Sequence, residues 1–129
     1  MRKNESGQAL IILIFAIALS ITILTGVTLT AVTLAKNNFL TETSQSAYYG
    51  AESGAEYALL RLVRAPNSCG NPEDTLTIDT STVKVSYNLV GSLCTVSITS
   101  TNDTIVKKIQ VQATIANSKV TYCCWKELP

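Results

Sequence analysis

The four cysteines, Cys69, Cys94, Cys123 and Cys124, are the side chains best suited to redox or metal chemistry in this chain. All four follow a long apolar segment, and their even number favours disulfides if that part of the chain lies outside the cytoplasm. Zinc would require two ligand pairs with suitable spacing, which the adjacent Cys123 and Cys124 do not easily supply. We therefore expect disulfides in preference to free thiols or a metal site, with three pairings open.

The remaining residue types do not indicate catalysis. The sequence contains no histidine, the commonest general base and metal ligand. A thiol–disulfide enzyme using Cys123 and Cys124 is an alternative, but such enzymes normally use a spaced cysteine pair at a helix N-terminus. The net charge is +1 and no basic run is longer than the pair Lys107–Lys108, so we expect no direct nucleic-acid partner. We predict a protein that is not an enzyme, with no catalytic residue, cofactor or metal.

The segment from Gln8 to Ala35 contains no charged residue. As a helix it would extend ~42 Å, more than the ~30 Å hydrocarbon core of a bilayer requires. A secretory signal has an apolar stretch of only ~7–15 residues. Cleavage after Ala16-Ile17-Ala18 would leave a strongly apolar mature terminus. We therefore predict a membrane-spanning helix over residues 8–35, with the basic Arg2 and Lys3 in the cytoplasm and the rest of the chain outside.

The helical pattern continues beyond the apolar segment, over residues 36–65, because no proline precedes Pro66. Apolar residues recur there at helical spacing, which predicts an amphipathic helix. Small residues dominate the apolar stripe and allow close approach of another element. Together with Gly26, the candidates for helix packing are Ala47, Gly50, Ala51, Gly54, Ala55 and Ala58. Two interpretations stay open: packing on the protein's own sheet alone, or that packing together with contacts to other helices.

Glu52 and Glu56 lie one turn apart on the opposite side of this predicted helix. Like charges at this spacing slightly destabilise an isolated helix. A basic partner on another subunit would relieve the repulsion. A solvated helix face is the simpler interpretation, and the sequence leaves both open.

After Pro66 the hydrophobic period changes to two, which indicates strands over residues 75–80, 82–90, 94–100 and 104–115. Alternating apolar and polar residues are typical of an antiparallel sheet covered on one face, and the preceding helix is the natural cover. The prediction is an α+β fold with a long N-terminal helix packed on a sheet of about four strands within residues 66–129. Cys94 would point inward, which favours a bond to Cys69 at the helix–sheet junction. The C-terminal tail has no clear period.

Two segments, "ESGQALIILIFAIAL" and "AYYGAESGAEYALLRL", resemble type IV prepilin-like proteins, in particular minor pilins and pseudopilins of the PilX and GspK kind. The resemblance covers about the first half of the chain. It implies that residues 1–7 are a leader removed by a prepilin peptidase between Gly7 and Gln8, and that the new amine of Gln8 is methylated. It also implies a single-pass precursor in the inner membrane, which an assembly platform and ATPase transfer into an extracellular filament of pilin subunits.

Ile12 occupies the fifth position after the implied cleavage, where most major pilins carry a glutamate that neutralises a neighbour's terminal amine. An unpaired amine inside an apolar bundle is costly, so this difference favours a minor subunit over a bulk one. "GQAL" before an apolar run also resembles the TadE-like pseudopilins. The alternative to a filament subunit is an unprocessed, membrane-anchored extracytoplasmic binding domain.

Overall fold

The computed structural model describes residues 5–70 and 72–129, with side chains from residue 7 onward. It contains one long α-helix, α1 (Glu5–Arg64), and a short 3-10 turn at Pro66–Ser68. Five strands follow: β1 (Asp74–Ile78), β2 (Ser81–Val90), β3 (Leu93–Asn102), β4 (Ile105–Ala116) and β5 (Lys119–Leu128). The predicted α+β class, with one helix packed on an antiparallel sheet, is confirmed. The chain divides into two units, the first ending at Phe39 and the second running Leu40–Pro129.

The first unit consists of helix alone in the described residues. Its large apolar side chains lie on every side of the helix, because the sequence has no polar stripe at helical spacing there. The helix is long and apolar enough to cross a membrane. This agrees with the predicted single-pass segment.

The second unit is a meander in which each strand pairs antiparallel with the next, in the order β1-β2-β3-β4-β5. Val85 lies opposite Ile98, and Ile98 lies opposite Ile109, so one face of the sheet carries a continuous apolar row. Residues 40–64 of α1 cover that face, and their buried alanines join the sheet residues in one core. The alternation in sequence therefore predicted the covered face correctly.

β5 is the strand that the sequence pattern did not predict. It starts after a tight turn in which Asn117 and Ser118 both have positive φ, the geometry of a two-residue hairpin turn. Its pairing with β4 shifts register between Gln110 and Gln112. A bulge of this kind breaks the period-two alternation, which explains why the tail has no clear period.

Lys107 is a charged residue among the inward-facing positions of β4, where Ile105, Ile109, Val111 and Ala113 are apolar. The structure places it on the covered face but at the rim of the core, where its Nζ lies 3.5 Å from Oε1 of Glu127 in β5. The Lys107 side chain remains about one-third exposed. The long side chain of Lys107 therefore extends past the edge of the core, so its charge is not buried.

Candidate functional site

The large apolar side chains of the first unit are exposed throughout its apolar segment. From Leu10 to Leu34, every large aliphatic or aromatic side chain is between 52% and 69% exposed. A helix that is apolar on all sides requires a lipid or protein environment, because water would leave this whole surface unburied. The first unit is therefore the strongest candidate for a functional element, and its function would be to contact a membrane or other helices.

The six hydroxyl side chains of this apolar segment all donate hydrogen bonds to carbonyl oxygens one turn earlier in the same helix. Ser20 Oγ donates to the Ala16 oxygen at 2.7 Å, and Thr25 Oγ1 donates to the Ile21 oxygen at 2.6 Å. Internal bonds of this type satisfy hydroxyl groups without a partner from outside the helix. The segment therefore presents small, partly polar residues to its surroundings at little desolvation cost.

Gly7 and Gln8, the predicted cleavage site, lie near the start of α1, and both are exposed. A Cβ atom built on Gly7 meets nothing within 4 Å. Residues 1–4 of the predicted leader lie outside the described residues. The structure therefore places the site at an accessible position, and cleavage and methylation stay predictions.

The small residues of the second unit contact its own sheet. Gly50 is buried, and a Cβ atom at this position would lie 2.6 Å from Ser100 Oγ and 3.1 Å from Ser81 Cβ. The alanines on the same face are fully buried: Ala47, Ala51, Ala55 and Ala58. This part of α1 therefore packs on the protein's own sheet. Gly26 lies in the first unit, exposed, with nothing within 4 Å of a built Cβ.

An ion pair between Arg61 and Asp74 connects the last turn of α1 to the first residue of β1. The Arg61 guanidinium lies 5.5 Å from the centroid of the Tyr87 ring, and Tyr87 Oη donates to Asp74 Oδ2 at 3.4 Å. Burial raises the pKa of the Tyr87 hydroxyl, although the nearby Arg61 charge opposes that shift. This contact holds the helix end against the sheet edge. Sequence spacing alone did not predict it, because the three residues come from three separate elements.

The cysteines lie in two places. Cys69 and Cys94 form a disulfide with a Cα–Cα distance of 6.1 Å, and both are buried beside the core. This confirms the pairing favoured by the sequence. Cys123 and Cys124 also form a disulfide, as neighbours in β5. They are exposed, and Cys124 has a φ of 63° within the irregular part of the β4–β5 pairing.

Glu52 and Glu56 lie on α1 away from the sheet, as predicted, with Glu52 partly buried and Glu56 exposed. Arg61–Asp74 and Lys107–Glu127 are the ion pairs found among the described side chains, and neither glutamate takes part in them. The two carboxylates therefore form an unneutralised acidic stretch on the helix.

Comparison with protein-family models, with curated proteins and with solved structures finds no match to this chain.

Proposed function

We propose that this chain is a minor pilin or pseudopilin, a subunit of a type IV pilus or a type II secretion-like filament. In this proposal, a prepilin peptidase cleaves the precursor between Gly7 and Gln8 in the inner membrane. The mature subunit keeps the whole apolar helix and enters the filament through it, driven by the assembly platform and ATPase.

The observation that carries the proposal is the exposure of the apolar helix on all sides, together with its internally bonded hydroxyl groups. Before assembly, lipid tails would cover the large aliphatic side chains. After assembly, neighbouring helices would cover them, and the small residue Gly26 would permit close approach. A helix used only as a membrane tether must also be long and apolar. The two functions therefore differ in whether the leader, residues 1–7, is removed from the mature chain.

Mass spectrometry of the mature N-terminus tests the proposal directly. Cells that contain a prepilin peptidase should produce a chain that starts at Gln8 with a methylated amine. A chain that starts at Met1 or Arg2 would instead establish the anchored binding domain and exclude the filament subunit.

Two glycine variants sharpen this test. Gly7→Val should leave the leader attached, because a branched side chain now occupies the residue before the cut. Gly26→Ala is the matched control and should be processed normally. Neither position has a heavy atom within 4 Å of a built Cβ, so both variants should fold.

A further inference from the structure

The charged residues on the outer face of the sheet, the face that does not contact α1, are all basic. Four lysines point from this face, and all are exposed: Lys84 in β2, Lys108 in β4, and Lys119 and Lys126 in β5. The other outward positions in the five strands are mainly threonine, serine, asparagine and glutamine, and none is Asp or Glu. The outer sheet face is therefore positively charged and lacks internal neutralisation.

Two of these lysines share one register row. Lys84 lies opposite Thr99, and Thr99 lies opposite Lys108, so the two lysines are separated by a single strand. With neighbouring strands ~4.8 Å apart, their Cα atoms lie roughly 10 Å from each other. A partner surface that matches them needs two or more carboxylates spaced along about one or two helical turns.

The opposite side of the same unit provides such a surface. Residues 40–60 of α1 contain three acids, Glu42, Glu52 and Glu56, and no lysine or arginine. Asp79, in the turn after β1, adds a fourth carboxylate where it lines a groove with Glu42. Gln45, Tyr49, Ser53 and Ile78 also line that groove. The aromatic ring and the isoleucine suit the methylene stem of a lysine, while the carboxylates suit its ammonium group.

We propose that the outer sheet face of one copy of this chain docks on the acidic helix face of a second copy, with Lys84 and Lys108 opposite Glu52 and Glu56. The partner is a second copy because this unit presents both charges, on opposite faces. The interface is heterologous, since each copy uses a different surface. The inference deepens the proposed function and rests on it for the setting of the contact, two copies of this minor subunit side by side in one filament.

A zero-length carbodiimide cross-linker tests this contact in membranes that contain the full chain with two different tags. The reagent joins a carboxylate to a lysine amine that contacts it. Within one chain, residues 40–64 of α1 and the outer lysines lie on opposite sides of the sheet, so a link from Glu52 to Lys84 has to join two copies. Wild-type membranes should yield links from Glu52 or Glu56 to Lys84 or Lys108, identified by mass spectrometry between differently tagged chains.

Charge reversal gives the decisive comparison. The double variants Glu52→Lys/Glu56→Lys and Lys84→Glu/Lys108→Glu, each produced alone, should lower the yield of linked copies about five-fold, since attraction becomes repulsion. Co-production of the two variants should restore it, because a basic helix then meets an acidic sheet. Glu73→Lys/Asp103→Lys changes the net charge by the same amount as Glu52→Lys/Glu56→Lys, at exposed positions outside both surfaces, and should leave the yield unchanged. Formation of the Cys69–Cys94 disulfide in every variant verifies folding.

The inference is overturned if the paired variants fail to restore cross-linking, or if the control variant lowers it equally. If Lys84→Glu/Lys108→Glu lowers the yield of linked copies but Glu52→Lys/Glu56→Lys does not, the inference is also overturned. The lysines would then contact a different anionic partner. The N-terminus, measured in the same samples, separates this inference from the proposed function. If the chain starts at Gln8 but the paired variants do not restore cross-linking, the docking contact is wrong and the proposed function stands. If the paired variants restore cross-linking but the chain starts at Met1, the filament function is wrong and the contact between copies stands.

Discussion

Gly54 of α1 packs so closely against Val83 of β2 that a Cβ atom on the glycine would lie 2.6 Å from Cγ1 of the valine. The same atom would lie 3.0 Å from Ile98 Cγ2 in β3. Both neighbours are fully buried core residues. This contact sets the distance between helix and sheet in the second unit.

Replacement of this glycine should therefore destabilise the second unit. Gly54→Ala gains up to about 1 kcal/mol of helix propensity but forces the core apart, at a cost of about 1–3 kcal/mol. We expect a net fall in the thermal unfolding midpoint of several degrees, measured by circular dichroism of the full chain in detergent. Gly26→Ala has the same change of propensity without a clash, and should not lower the midpoint. Equal behaviour of the two variants would contradict the close contact.

The buried and exposed cysteine pairs should differ in their effect on stability. The Cys69–Cys94 bond closes a loop between residues 25 apart, and its loss should cost about 3 kcal/mol in the free energy of unfolding. The double variant Cys69→Ser/Cys94→Ser should therefore unfold at a lower denaturant concentration. Cys123→Ser/Cys124→Ser is the matched control, and should change the unfolding midpoint little because those residues are adjacent and exposed. A larger effect from the control pair would be incompatible with this assignment.

Stability should fall at alkaline pH through Tyr87. Burial raises the pKa of this hydroxyl above its ordinary value of 10.0, so the folded chain keeps the proton that the unfolded chain releases. The stabilising effect is complete below pH 10.0 and is lost as the pH rises through the higher folded-state pKa. Unfolding midpoints between about pH 8 and pH 11 should decline less steeply in Tyr87→Phe than in the parent chain. Tyr49→Phe, at a tyrosine that is 62% exposed, should follow the parent curve.

The apolar segment should be intolerant of charge near its centre. Leu24→Lys places an ammonium group where the helix would contact hydrocarbon, at a cost of about 2.5–3.5 kcal/mol for insertion. We expect a smaller fraction of the chain to resist alkaline carbonate extraction of membranes. Leu60→Lys is matched in exposure, at 59% against 65%, but lies in the second unit and should remain membrane-bound like the parent. Equal extraction of Leu24→Lys and the parent would argue against a membrane-spanning role.

Much of the fold follows from patterns that are local in the sequence. An uncharged segment from Gln8 to Ala35 predicts an apolar helix, and Pro66 stops the helical pattern, because both effects act within a few residues. Alternation over residues 82–90 and 94–100 predicts strands and their buried face for the same reason. Cys94 in the inward row, with Cys69 just after the helix, was sufficient to favour their disulfide.

The tertiary structure decided the contacts between residues far apart in the chain. Arg61, Asp74 and Tyr87 meet because the helix end lies over β1 and β2, and Lys84 and Lys108 align because β3 separates their strands. The sequence did not predict β5, because a bulge disrupts its alternation of apolar and polar residues. Such features depend on strand register and on the distance between helix and sheet. Those quantities are set by the packing of the whole core, so no short segment of sequence contains them.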